Sequence, residues 1–184
     1  RMVVDGDQLI TLNTSPGKLF SEITKDDLVL RSSFGTFIQD QEKNFMVLFG
    51  HLESRKEGGF VYVPQHQSLI YNFDKDYELD FITKRPDGQD FPFNEKDESS
   101  SSSSLQAPKS NVTAFATDTF ANNLYVGIYS SITDKDYLDV YDRINGEYIE
   151  TLNPPFGCVD FEIVENIFTC IERGERVVVY EMVE

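Results

Sequence analysis

The stretch Tyr137-Leu-Asp-Val-Tyr141-Asp142-Arg-Ile-Asn145-Gly146-Glu-Tyr148-Ile149-Glu-Thr-Leu152 decides the fold class. Two short runs rich in aromatic and β-branched residues flank Asp142 and Asn145-Gly146, and Asn-Gly between such runs is a strong hairpin signal. The unit recurs. Leu9 to Ile23 matches it without a gap, with Leu12 over Tyr141, Gly17 over Gly146 and Ile23 over Leu152. Ser68 to Ile82 matches with a turn one residue shorter, and Arg176 to Glu181 repeats the first strand alone. The anchors Leu12, Phe73, Tyr141 and Tyr180 stand 61, 68 and 39 residues apart, a range that brackets the spacing of propeller blades, about 40 to 50 residues, once loop insertions are allowed.

Further strands are expected ahead of these units, over Phe45 to His51, Phe60 to Val63, Thr113 to Phe120 and Leu124 to Tyr129, the last two joined by a turn at Asn122-Asn123. The third unit then becomes a four-stranded antiparallel meander, which is one propeller blade. The expected architecture is all-β: repeated four-stranded antiparallel sheets in one β-propeller-like domain over residues 1–184, with about four partial blades. Lys84 to Ser110 breaks the pattern with prolines, the acids Glu95, Asp97 and Glu98, and serines from Ser99 to Ser104, so it reads as a flexible acidic, serine-rich insertion. Lys18 to Leu30 is the one weak helical candidate, and Thr24-Lys-Asp-Asp27 within it reads equally as a turn.

Asp and Glu number 32 against 16 Lys and Arg, a formal charge of −16 in a chain of 184 residues. Nucleic acid is excluded as a partner on that balance, because phosphate binding runs on clustered cations releasing counterions. No run approaches the roughly 18 apolar residues of a membrane helix. The two cysteines read as unbridged: with Glu165-Asn166 as a two-residue turn, Cys170 faces Phe161 and Cys158 faces Arg173, so a bridge would need a register slip.

Catalytic motifs are sparse. His51 and His66 are the only histidines, and no CxxC, HExxH, GxSxG or phosphate-loop pattern occurs. Cofactors are therefore not expected, with one exception. Asp-Lys-Asp-Tyr occurs twice, at Asp74 to Tyr77 and Asp134 to Tyr137, and paired carboxylates at i and i+2 offer the hard oxygens Ca²⁺ prefers. Asp74, Asp76, Asp134 and Asp136 are the calcium candidates, set against a plain role as turn formers. Tyr62, Tyr71, Tyr77, Tyr129, Tyr137 and Tyr148 could build a glycan or peptide platform, but read first as strand residues packing between blades.

The segments LIYNFDKDYELDFIT, YLDVYDRINGEYIETL and DFEIVENIFTCIERGERVVVYE resemble those of the TolB-like six-bladed β-propeller proteins of bacteria and, more distantly, NHL-repeat propellers. The resemblance covers Phe34 to Thr83 and Val112 to Glu184. It implies a propeller, names no catalytic residue, and implies export to the periplasm or cell surface. Such relatives close six blades, whereas this chain has material for about four, so an incomplete ring, a fragment of a longer propeller or self-association through open sheet edges is expected. The sequence thus leans toward a non-enzymatic binding or scaffold module for a protein, peptide or glycan. The alternative is a metal-assisted hydrolase using channel carboxylates.

Overall fold

Alternating apolar and polar residues between Asx and glycine turns leave the chain one regular option, short antiparallel strands. The structure, a computed structural model, describes residues 2–13, 18–35, 49–86, 112–131, 133–153, 157–172 and 176–182. Sheet 1 contains β1 (Met2–Asp5), β2 (Gln8–Leu12), β3 (Phe20–Thr24) and β4 (Leu30–Phe34) in sequence order. Sheet 2 contains β5 (Gly50–Ser54), β6 (Phe60–Pro64), β7 (Leu69–Phe73) and β8 (Leu79–Lys84). Sheet 3 contains β9 (Val112–Phe120), β10 (Asn123–Ser130), β11 (Lys135–Asp142) and β12 (Tyr148–Leu152). Sheet 4 has three strands, β13 (Cys158–Val164), β14 (Ile167–Glu172) and β15 (Val177–Glu181). Among the described residues there is no helix, and Lys18 to Leu30 forms β3, a turn and the start of β4.

The four sheets stack face to face in chain order. Their first strands run side by side, β1 against β5, β5 against β9 and β9 against β13. Three apolar layers fill the gaps. Val3, Ile10 and Phe20 of sheet 1 meet Phe60, Tyr62 and Phe73 of sheet 2. Val61, Val63 and Ile70 on the other face of sheet 2 meet Leu124, Val126 and Tyr141 of sheet 3. Tyr125, Leu138 and Val140 of sheet 3 meet Phe161, Phe168 and Cys170 of sheet 4. The first layer is an aromatic cluster: Phe60 stacks on Phe73 at 4.6 Å, and Phe20 sets its edge to Phe60, Tyr62 and Phe73 at 5.1, 5.2 and 5.3 Å. Each such pair adds about 0.5–1.5 kcal/mol beyond the area it buries. Among the described residues, sheets 1 and 4 are each covered on one face only, so the ring is not closed.

The hairpin between the third and fourth strands is the true repeat. In sheet 3 Asp142 N–H bonds Glu147 O at 2.8 Å, Gly146 N–H bonds Asp142 O at 2.9 Å, and Gly146 has φ +75°. Sheet 2 uses the same closure one residue shorter, with Asp74 N–H to Glu78 O, Tyr77 N–H to Asp74 O and φ +61° at Tyr77. In sheet 1 that hairpin is β3–β4, where Thr24 N–H bonds Val29 O, Leu28 N–H bonds Thr24 O and Leu28 has φ +54°. A bulge lies just ahead of all three turns. The first unit read from the sequence, Leu9 to Ile23, is therefore out of phase by one strand, because β2–β3 and β3–β4 are both strand–turn–strand. The anchor equivalent to Phe73 and Tyr141 is Ile23, not Leu12, and the first interval shortens to 50 residues.

Other boundaries also moved. β5 starts at Gly50, with Phe45 to Leu48 outside the described residues, and the β9–β10 turn is Ala121-Asn122, with Ala121 at φ +53°. Lys84 still belongs to β8 and Arg85 is buried; the rest of the expected insertion, from 87 to 110, lies outside the described residues.

The cysteines correct the sequence reading. Cys158 and Cys170 form a disulfide with Cα atoms 5.7 Å apart. Phe161 does face Cys170, but a bulge at Val159 pairs Cys158 with Glu172 and supplies the slip that turns both sulfurs to one face. Closing so short a loop contributes about 2–3 kcal/mol through the unfolded state. Reduction, or Cys170→Ala, should lower the melting temperature by about 4–10 °C, with thiol titration before and after reductant reporting the bridge directly.

Candidate binding face

Successive turns of an antiparallel meander alternate between its two ends. Contacts between sheets gather one set of turns at a common end. Gly59 N–H donates to Asp5 Oδ2 at 3.0 Å, joining the β5–β6 turn to β1. Arg143, in the β11–β12 turn of sheet 3, places Nη2 3.2 Å from Glu57 Oε2 of the β5–β6 turn. Arg55 places Nε 2.8 Å from Glu57 Oε1 and Nη1 3.1 Å from Asp80 Oδ2, and donates to Phe73 O at 3.2 Å. Glu57 thus bridges two mostly buried guanidinium groups across sheets 2 and 3. Burial alone would raise its carboxyl, but the hydrogen bond from Arg55 and the charges of Arg143 and Arg55 outweigh that and hold it below its ordinary range. Gly146 is packed there too. A Cβ on it would collide with Thr83 Oγ1, whose hydroxyl donates to Gly146 O at 3.1 Å.

The two Asp-Lys-Asp-Tyr segments lie at opposite ends of the sheets. Asp74 and Asp76 sit in the β7–β8 turn, beside the network just described, whereas Asp134 precedes β11 and Asp136 lies within it. Asp74 Oδ1 accepts the N–H of Asp76 at 2.9 Å and of Glu78 at 3.0 Å, so its carboxylate shapes its own turn. Tyr77 then reaches back to sheet 1, its hydroxyl hydrogen-bonded to Asp5; burial and the negative charges of Asp5 and Glu22 raise its pKa. Asp134 Oδ1 accepts the Tyr129 hydroxyl at 3.0 Å, and the Tyr137 hydroxyl lies 3.0 Å from Thr133 Oγ1. Among the described residues, no three His, Cys, Asp or Glu side chains converge on one point. Tyr62 and Tyr71 are buried in the first layer and Tyr137 packs against the second, as strand residues between sheets, whereas Tyr77 packs against the first layer from the β7–β8 turn. Tyr148 instead remains largely exposed, its ring edge-on to Tyr141 at 5.8 Å.

Sequence reasoning missed one pair of acids. Glu53 of β5 and Asp118 of β9 come together where the first strands of sheets 2 and 3 run side by side. Burial, with the charge of Asp118 added, pushes the Glu53 carboxyl up to about 7, against one hydrogen bond from Ser54 N–H that favours ionisation. Burial also raises Asp118, although it accepts hydrogen bonds from Ile163 and Thr119 N–H, the first joining sheet 3 to sheet 4. The signal was present as a single acid inside each of β5 and β9, lost among the 30 other acids. At the far end His51 is buried and His66 is half-buried in the β6–β7 turn, where burial and then the charge of Arg85 lower its pKa.

The sequence matches no protein-family model and no curated protein. Solved structures do match over nearly all of it. One is the β-propeller domain of Cps50 (Swd1) from Myceliophteria thermophila, at TM-score 0.58 and 12% identity over 99% of this chain and 50% of that one. Another is KlAtg21, solved in complex with the coiled coil of AgAtg16, at TM-score 0.52 and 11% identity over 97% and 49%. The fold is that of a β-propeller. The computationally designed Ika4 protein also matches, at TM-score 0.51 and 9% identity over 99% of this chain and 89% of its own. The chain therefore spans about half the length of those two natural chains and 89% of the designed protein.

The folded Glu53 carboxyl titrates above its unfolded value of 4.5, so the stability it contributes is full below about pH 4.5 and is lost as pH rises through about 7. Glu53→Gln should leave stability at pH 4.5 nearly unchanged and raise it at pH 8 by about 1–3 kcal/mol, read from urea melts at both pH values. Tyr77→Phe, which removes the hydrogen bond to Asp5, should cost about 1–2 kcal/mol, whereas Asp76→Asn in the same turn should stay within about 0.5 kcal/mol.

Proposed function

We propose that this propeller is a non-enzymatic binding module, and that its turn-lined end takes a cationic segment of a protein or peptide. The observation that carries the reading is the charge of that end. Asp7, Asp26, Asp76, Glu78, Glu147 and Glu165 are exposed there, from turns of all four sheets, and outnumber the exposed Lys25, Lys56 and Lys75 of the same turns, while Arg55 and Arg143 are already engaged by Glu57 and Asp80. An acidic, solvated surface held on rigid sheets steers cations toward it. Propeller folds host many activities, so the fold alone does not choose the ligand. The Atg21 propeller, bound to a coiled coil, is one case of protein recognition on this fold. Export of a TolB-like protein to the bacterial envelope belongs to the same proposal, and the Cys158–Cys170 disulfide supports an oxidising compartment.

The test pairs binding with metal titration. Fluorescence anisotropy of labelled oligolysine should show saturable binding that weakens at least threefold in Asp76→Lys/Glu78→Lys and again between about 50 and 300 mM NaCl. Oligoglutamate should not bind. Equal affinity of the wild type and the charge-reversed variant would overturn the assignment of this end. In parallel, melts in EDTA and then in millimolar Ca²⁺, Mg²⁺, Mn²⁺ or Zn²⁺ should coincide. A saturable rise of several degrees with one metal, which binding at about 100 times its Kd would give, would replace the metal-free module with a metal site at Asp74 and Asp76 or at Asp134 and Asp136.

A further inference from the structure

Sheet 3 ends on a strand whose outer edge is bare. β4, β8 and β12 are the outermost strands of sheets 1, 2 and 3, and each pairs with one described strand only. Such an edge leaves alternate backbone N–H and C=O groups facing outward, and proteins commonly guard it with lysine or proline. β4 carries Arg31, and β8 carries Lys84, with its Asp80 held by Arg55. β12, Tyr-Ile-Glu-Thr-Leu, has neither cation nor proline. The residues from Glu147 to Thr151 are all exposed, Tyr148 at 44% and Ile149 at 48%.

The strand is also held in shape before any partner arrives. Ile149 is the extra residue of the bulge against β11, so Tyr148 pairs with Tyr141 and Thr151 with Asp139. That brings Tyr148 and Thr151 to one face, their hydroxyl oxygens 2.7 Å apart. Thr151 donates to Asp139 Oδ1 at 2.6 Å, which leaves the Tyr148 hydroxyl as the donor to Thr151 Oγ1. Tyr141 donates to the same buried carboxylate at 3.3 Å. Gly146, in the turn that leads into β12, is fixed to Thr83 of sheet 2. Little of this edge remains to be ordered on binding. The opposite face presents Glu150, paired with Val140, and Leu152, paired with Leu138.

We propose that β12 takes an extended segment of a partner protein as a fifth strand of sheet 3, and that this segment alternates basic with apolar residues. Backbone pairing supplies the affinity, and side chains at alternate positions supply the selection. The partner's residues beside Glu150 are cationic, because Glu147 and Glu150 are the charges of this edge and no Lys or Arg between 147 and 152 offsets them. Its residues on the other face lie beside the Tyr148 ring, where β-branched side chains pair well with an aromatic. The inference rests on the acidic-end reading for the partner's charge and adds its conformation and path, since β12 starts directly after Glu147 of that end.

The test uses the whole chain and the labelled heptapeptide Lys-Val-Lys-Val-Lys-Val-Lys. In an extended peptide the Lys and Val amides face opposite edges. Methylating the nitrogens of one set should weaken binding at least fivefold, and methylating the other set should leave it within twofold. Hydrogen exchange in the complex should slow across Tyr148 to Leu152 and not in β4 or β8. Glu150→Lys, at an exposed position, should keep the circular dichroism spectrum and weaken binding at least fivefold. Equal binding of both methylated peptides, equal loss with both, slowed exchange confined to other strands, or wild-type affinity in Glu150→Lys overturns the strand addition. So does protection of β12 that rises with the concentration of the chain alone, which would mean pairing between copies. Binding of oligolysine without binding of this peptide overturns it too and leaves the acidic end standing. Peptide binding that slows exchange at β12 but is unchanged in Asp76→Lys/Glu78→Lys overturns the acidic-end reading and leaves the strand addition in place.

Discussion

A β-sheet with large apolar side chains on both faces is stable only between two other layers, and this chain is composed almost entirely of such sheets. Sheets 2 and 3 satisfy the requirement within the chain, each pressed between neighbours through rows of Phe, Tyr, Val and Ile. The radial order follows from it. The first strands gather side by side, and polar groups near their ends must find partners across the junctions. Asp5 therefore takes Gly59 N–H and the Tyr77 hydroxyl, Glu57 takes Arg55 and Arg143, and Asp118 takes Ile163 N–H. A buried carboxylate is tolerable when donors converge on it. Glu53 has few donors, and its raised pKa shows what a junction acid costs without them.

The hairpins were legible because their turns depend on side chains that only a few residue types supply. Asp142 accepts the N–H of Ile144 and Asn145, and Asp74 does the same in its own turn, so Asx followed by a left-handed residue marks both places. The sheets followed from the hairpins. Phase in the first sheet did not, because a meander looks alike from every strand. Leu9 to Ile23 matches the consensus as well as Phe20 to Phe34 does, and only the bulge and the left-handed Leu28 distinguish them. The disulfide was hidden for a related reason. One extra residue at Val159 inverts the facing of Cys158, and a bulge leaves no trace in hydrophobic alternation.

Site chemistry was less legible than fold because acids are everywhere in this sequence and only position gives them roles. The repeated Asp-Lys-Asp-Tyr looked like one device used twice. In three dimensions its copies are a turn that ties sheet 2 to sheet 1 and a turn at the opposite end of sheet 3, sharing composition and nothing else. Several carboxylates that catch the eye are joints of the scaffold. Those left in solvent at the turn-lined end are the ones a partner can reach.

Stacked sheets of this kind behave as a short one-dimensional array, in which a unit with one neighbour opens before a unit with two. The two end sheets are secured against that in different ways. Sheet 1 is held by the aromatic cluster around Phe20 and by Asp5. Sheet 4, with three strands, carries the covalent link between β13 and β14. When sheet 4 peels from sheet 3, those two strands must leave as a paired ribbon, so detachment exposes a hairpin still in register and re-docking needs no search for strand pairing. In a reducing environment the same fluctuation would release two separate edge strands, and the end of the array would become its entry point for proteolysis and misassembly.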